Sequence, residues 1–134
     1  MKSLKDEYEV AGYIDPGPYY PNMSYQEVAA SYNGMGAEWM GEFARKTLDA
    51  FFPTFRDPTI IHDVDYCRGI TEDDRQAADT RYLRNMRSAI RHNIPWWRFR
   101  RRFLAKRAAE IVFTACFLFG RSAFASAKNT GTVK

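Results

Sequence analysis

The residues best suited to chemistry lie in Ile60-Ile61-His62-Asp63-Val64-Asp65-Tyr66. Histidine exchanges its proton near neutral pH and is the usual general base. In a helix His62 and Tyr66 stand one turn apart on one face. Asp63 lies about 100° round from His62 and points to a different partner. A second acid, Asp79, stands four residues before Leu83 and seven before Met86. It therefore falls on the apolar stripe of its own helix, where a carboxylate is costly unless a partner meets it. Gly69 reads as a tight connection, so the two helices must run antiparallel, which can set Asp79 opposite His62 and Tyr66. A base oriented by a buried acid is an arrangement that activates water. Taken alone, His-Asp-x-x-Tyr is more often the pattern of a solvated or core histidine than of a catalytic one; the acid on the second helix tips the balance to catalysis.

These side chains need helices to hold them, and the sequence supplies the signals. Asp57-Pro58 predicts a helix start, an acid at the N-cap and proline at the first position, with the helix running to about Arg68 and Gly69 as its C′ residue. Thr71, followed by Glu72, Asp73 and Asp74, predicts the next helix, to about His92, with Leu83, Met86 and Ile90 inward. The three acids read as first-turn helix residues and His92 as a solvated helix end. Upstream, Ser24 and Glu27 form a capping box for a short helix that stops at the loop signal Tyr32-Asn33-Gly34-Met35-Gly36. A helix from about Ala37 to Phe52 follows, with Trp39, Met40, Phe43, Leu48 and Phe51 on one apolar side and Pro53 at its end. Residues 1–23, with Pro16, Pro18, Pro21 and several tyrosines, read as an irregular arm that packs by its aromatics. Pro95 closes the central segment, residues 24–94. Residues 95–134 predict a last helix, about Trp96 to Ala125, basic at first and then apolar. No strand pattern or repeat is present, so the expected fold class is all-α.

Length and composition agree with one small domain. The chain has 134 residues, a net charge of +4 and an aromatic share of 16%, more aromatic than a disordered chain would carry. Cys67 and Cys116 are too few for a disulfide framework, and two free thiols are expected. Met1 to Val10 is charged and has no apolar core, so no secretory signal is expected and synthesis falls in the cytoplasm. The longest apolar stretch, Ile111 to Gly120, is too short to span a bilayer as a helix.

His62-Asp63-x-x-Tyr66 followed by Ala78-Asp79-x-x-Tyr82-Leu83-x-Asn85 resembles the active-site helix pair of phospholipase A2. The likeness is closest to the disulfide-free viral type found in parvoviral capsid proteins, since Ile61 and Val64 stand where the secreted enzymes carry cysteines. Tyr32-Asn33-Gly34-Met35-Gly36 looks like the family's calcium loop. The resemblance spans residues 32–88. It implies a calcium-dependent hydrolase that cleaves the sn-2 acyl ester of glycerophospholipids. His62 would be the base, Asp79 would orient it, and Tyr66 would hydrogen-bond Asp79. Ca2+ would be held by the Asp63 carboxylate and the backbone carbonyls of Tyr32, Gly34 and Gly36, all hard oxygen donors. Gly12 to Gly17 is a reserve loop. A viral or phage source, or delivery by another machine, is also implied.

The segment Pro95-Trp96-Trp97-Arg98-Phe99-Arg100-Arg101-Arg102-Phe103 has two readings. Trp96 and Trp97 beside Arg98, Arg100, Arg101 and Arg102 suit a membrane interface, with indoles at headgroup level and arginines on lipid phosphate. The same residues also suit a basic helix folded back with its tryptophans in the core. From Arg98 to Arg107 there are six basic residues and no acid. Arginine serves nucleic-acid phosphates too, but no base-reading motif is present and nucleic acid is disfavoured. Two other functions compete with the hydrolase. One is a non-catalytic module of the same fold, binding membrane or nucleic acid through the basic helix. The other is an accessory component of a viral or phage assembly, docked on a host or viral partner.

Overall fold

A computed structural model describes residues 3–32 and 38–129, apart from the side chains of Glu38 and of 126–129. Among the described residues there are six helices and no strand, as the all-α expectation required. They are α1 (Leu4–Tyr8), α2 (Tyr25–Ser31), α3 (Glu42–Asp49), α4 (Arg56–Arg68), α5 (Glu72–Asn93) and α6 (Phe99–Asn129). Helices α4, α5 and α6 form the centre, and α3 packs on α6. The main core joins Leu48, Phe51 and Phe55 to Tyr82, Met86 and Ile90 of α5 and to Val112 of α6.

The starts with a local cap fall where expected. Ser24 with Glu27 and Thr71 with Asp74 both close reciprocal capping boxes. Where a long-range partner competes, the expectations shift. Helix α4 begins at Arg56 with no side-chain cap. Asp57 is drawn away, because its carboxylate accepts the Ala11 backbone N–H at 2.9 Å and the Arg56 guanidinium at 2.7 Å. Gly69 is extended, with φ −64°, not left-handed. A side chain there is excluded by close approach: a Cβ would stand 2.8 Å from the Asp65 carbonyl oxygen and 3.1 Å from the Phe124 ring.

The helix expected from Ala37 to Phe52 is broken. Glu38–Met40 is a single 3-10 turn, Gly41 turns at φ +88°, and α3 then runs only to Asp49. That positive φ suits glycine and cannot continue a right-handed helix. The break rotates Phe43 off the apolar side, leaving it 72% exposed. The arm holds a short helix, α1, capped by Ser3 and Asp6, and a 3-10 turn at Tyr20–Asn22. Its aromatics do pin it. The Tyr20 hydroxyl donates to the Tyr8 carbonyl at 2.8 Å and accepts from the Val10 N–H. Asn85 of α5 exchanges two 2.9 Å hydrogen bonds with the backbone of Asp15.

Helix α6 starts three residues later than expected, at Phe99. Trp96 and Trp97, before it, are exposed, which overturns their reading as core. The stretch Phe99–Ala125 is long and apolar enough to cross a membrane, where Ile111 to Gly120 alone was expected to be too short. Its inner face is made of small residues: Ala105, Ala108, Ala109, Val112, Ala115, Cys116 and Gly120 are all buried. Small side chains let α6 lie close on α4 and α5.

Candidate active site

Pairs along α4 and α5 run in opposite order, so the helices are antiparallel as expected. Thr59 meets Tyr82 at 2.8 Å, and His62 meets Asp79 at 2.9 Å. The His62 Nε2 faces the Asp79 Oδ1, and the Tyr66 hydroxyl donates to the same oxygen at 2.7 Å. All three are buried: His62 is 1% exposed, Asp79 4% and Tyr66 5%. The face of His62 is stacked by Tyr82, with ring centres 4.2 Å apart and an interplanar angle of 19°. With Nε2–H donated to the carboxylate, the free lone pair of the neutral ring is on Nδ1. That tautomer is the one a water-activating base needs.

Sequence reasoning missed four neighbours. Arg75 is buried and donates to the Asp79 Oδ2 at 3.0 Å, while Glu72 holds its other side at 2.7 Å. The i,i+3 and i,i+4 spacing of Glu72, Arg75 and Asp79 was visible in the sequence as a helix-face signal. Trp39 lies over the site, stacked on Tyr66 at 5.8 Å and tilted on His62 at 6.3 Å. Cys116 of α6 puts its sulfur within 4.8 Å of both a His62 ring nitrogen and an Asp79 oxygen. Gly120, one turn on, lies so close to Tyr66 that a Cβ would overlap the hydroxyl. No local pattern announces these last three, because long-range packing brings them there.

Cys116, His62 and Asp79 invite two other readings, and the geometry disfavours both. A thiol–imidazole–carboxylate relay puts the whole ring between sulfur and carboxylate, whereas here the two lie within 4.8 Å of each other. A metal on the same three groups would compete with donors already in place, since the Asp79 oxygens take His62, Tyr66 and the Arg75 cation. Burial works against a charged His62, but the Cys116 sulfur and the Asp79 carboxylate outweigh it and raise its proton affinity. Burial likewise pushes the Cys116 thiol up. Cys67 and Cys116 are free thiols, as expected.

Of the expected calcium ligands, Gly34 and Gly36 lie outside the described residues, and Asp63 and Tyr32 lie within them. Tyr32 packs at the cluster of Ile60 and Val64, while Trp39 packs on His62 and Tyr66. At about 100° per residue, Asp63 falls on the side of α4 between those two flanks. It is buried, at 6% exposure. The two ends of the Tyr32–Trp39 segment thus border the Asp63 face.

The residues assigned to the membrane divide. Trp96, Trp97, Arg98 and Arg100 are exposed. Arg101 lies over the Phe51 ring at 4.2 Å and donates to the Ala50 carbonyl. Arg102 donates to the Ile94 carbonyl at 2.6 Å and the Arg91 carbonyl at 3.0 Å, capping the end of α5.

Searches of protein-family models, curated proteins and solved structures find no match to this chain.

Proposed function

We propose that the chain is a phospholipase A2-like hydrolase, cleaving the sn-2 acyl ester of glycerophospholipids at a membrane surface. The observation that carries this reading is the single Asp79 oxygen shared by the His62 Nε2 and the Tyr66 hydroxyl, on antiparallel helices. Nδ1 of His62 takes a proton from water, and the water oxygen attacks the ester carbonyl. The tetrahedral intermediate then collapses, the sn-2 ester bond breaks, and the leaving alkoxide takes that proton back from His62. Asp79 stays ionised, held by Tyr66 and Arg75, and steadies the imidazolium. Asp63, with the carbonyls of Tyr32, Gly34 and Gly36, would hold Ca2+, which supplies polarisation of the ester carbonyl and of the oxyanion. Trp96, Trp97, Arg98 and Arg100 are exposed together, as an interfacial anchor requires.

One observation favours the competing non-catalytic membrane module: His62 is buried, at 1% exposure. The same experiment separates the two. Vesicles of phosphatidylcholine and phosphatidylglycerol are incubated with the native chain or with His62→Gln, in calcium or in chelator. The expected result is calcium-dependent release of sn-2 fatty acid, lost in His62→Gln while the helical circular dichroism is kept. Vesicle binding without fatty-acid release by the native chain would replace the hydrolase with the binding module.

A further inference from the structure

No lipid ester can reach His62 as the chain is folded, because His62, Asp79 and Tyr66 are all buried. Among the described residues the site is covered by Trp39 and, over a longer stretch, by α6. Cys116, Gly120 and Phe124 follow one another at four-residue steps, so they form a single stripe. Cys116 lies beside His62 and Asp79, Gly120 against Tyr66, and Phe124 edge-on to Tyr66 at 5.5 Å.

The two ends of α6 are held differently. Near its start, Arg101 and Arg102 donate to backbone carbonyls of Ala50, Arg91 and Ile94. Over the site, one polar tie among the described residues is Arg121 to Glu72, an exposed ion pair at 3.3 Å. Exposed pairs of this kind hold weakly. Cys116 also makes a side-chain hydrogen bond with His62, a weak one because a thiol is a poor donor and acceptor; the remaining contacts named here are apolar, and a bilayer supplies those equally well.

The outside of the same stretch is apolar too. Phe117, Leu118 and Phe119 are 69%, 62% and 49% exposed, and Phe43 stands open across the groove beside them. A run of large apolar residues on the surface marks an interaction site. The basic start of the helix and the exposed indoles choose an anionic bilayer as the partner, since they offer cations to lipid phosphate and indoles to the headgroup layer.

We propose that α6 is a lipid-released cover: contact of Phe117, Leu118 and Phe119 with an anionic bilayer lifts the Cys116–Phe124 stretch from α4 and α5 and opens His62. The inference rests on the hydrolase reading, whose closed site it explains.

The two native thiols provide the test. Cys116 is beneath the cover. Cys67 is on α4 but, at about 100° per residue, on the Ile60 side, away from His62. Both are buried. The native chain is treated with a maleimide in buffer, with phosphatidylcholine vesicles, and with vesicles containing phosphatidylglycerol, and the modified peptides are measured by mass spectrometry. The expected result is slow labelling of both thiols in buffer. With phosphatidylglycerol, Cys116 labels at least about tenfold faster and Cys67 is unchanged. Protein that sediments with the vesicles while Cys116 stays protected would overturn the cover. So would joint labelling of both thiols, which reports unfolding, or Cys116 labelling that follows protein concentration without lipid, which reports a second copy on this surface. Fatty-acid release is read separately. An exposed Cys116 without release keeps the cover and removes the hydrolase; release with Cys116 protected does the reverse.

Discussion

Where α4 meets α5, polar groups face one another and most find partners, with Asp65 Oδ1 and Arg81 Nε left without a hydrogen bond. Asp79 takes three donors, Tyr82 meets Thr59, and Asp65 meets Arg81 at 2.7 Å. Where α6 meets the same two helices, the buried contact is made mostly by alanines, a valine, a thiol, a glycine and a phenylalanine, with Arg102 and Arg121 tied to α5 at the margin. The first surface specifies one geometry, because a buried polar group that loses its partner keeps its desolvation cost. The second fits closely but has little direction. The hydrophobic effect is non-directional, so an apolar face can exchange protein for lipid. Under the proposed cover, the site is built on a directional polar surface and closed by a mainly apolar one.

The largest expected effect comes from breaking the polar surface. Asp79→Ala removes the acceptor of His62, Tyr66 and Arg75 together and takes one carboxylate from the buried guanidinium, which keeps Glu72 and the Tyr66 hydroxyl. Removing one partner of a buried ion pair costs roughly 3–5 kcal/mol. Urea unfolding followed by circular dichroism should lose that much, a large part of a small domain's stability. A loss below about 1 kcal/mol would mean that the network does not fix the helix pair, and the contrast with α6 would fail.

Next comes the fit of α6. Gly120→Ala puts a methyl group into the Tyr66 hydroxyl. Alanine is the better helix former by about 1 kcal/mol, so propensity alone predicts stabilisation. Overpacking at about 1–3 kcal/mol opposes it. The expected outcome is a net loss of stability, with Cys116 becoming reactive in lipid-free buffer. Tyr66→Phe in the same chain removes the overlapping oxygen and should recover most of the loss, which a double-mutant cycle would read as coupling. Additive effects would show that Gly120 and Tyr66 do not meet.

The difference between the two surfaces also governs what could be read from the sequence. The His62–Tyr66 face and the position of Asp79 on its stripe are local spacings, and the Thr71 and Ser24 capping boxes are local as well. All of these were legible. Asp57 looked like an N-cap because Asp-Pro is a local signal, yet the Ala11 N–H competes for its carboxylate from a distant part of the chain. Gly41 was invisible as a break because the apolar period runs on through it, and only the backbone shows its positive φ. Cys116, Gly120 and Trp39 had no signal at all. They join the site through packing between segments far apart in the chain, and nothing in their immediate neighbours records that contact.

The smallest effect on stability belongs to the outer face of α6, which makes it the sharpest separation of folding from function. Phe117 and Phe119 are 69% and 49% exposed. Replacing both with serine removes little that the folded chain buries, and surface changes of this kind usually stay within about 0.5 kcal/mol. Unfolding should therefore hardly move. Sedimentation with phosphatidylglycerol vesicles should weaken by at least about tenfold, equivalent to about 1.4 kcal/mol of lost partition, because burying an aromatic side chain in lipid is worth more than that. If binding is unchanged, the tryptophans and arginines at the start of α6 carry the membrane contact alone and the outer face has another partner. If instead stability falls with binding unaffected, Phe117 and Phe119 support the fold, and the two sides of α6 are not the distinct surfaces their burial describes.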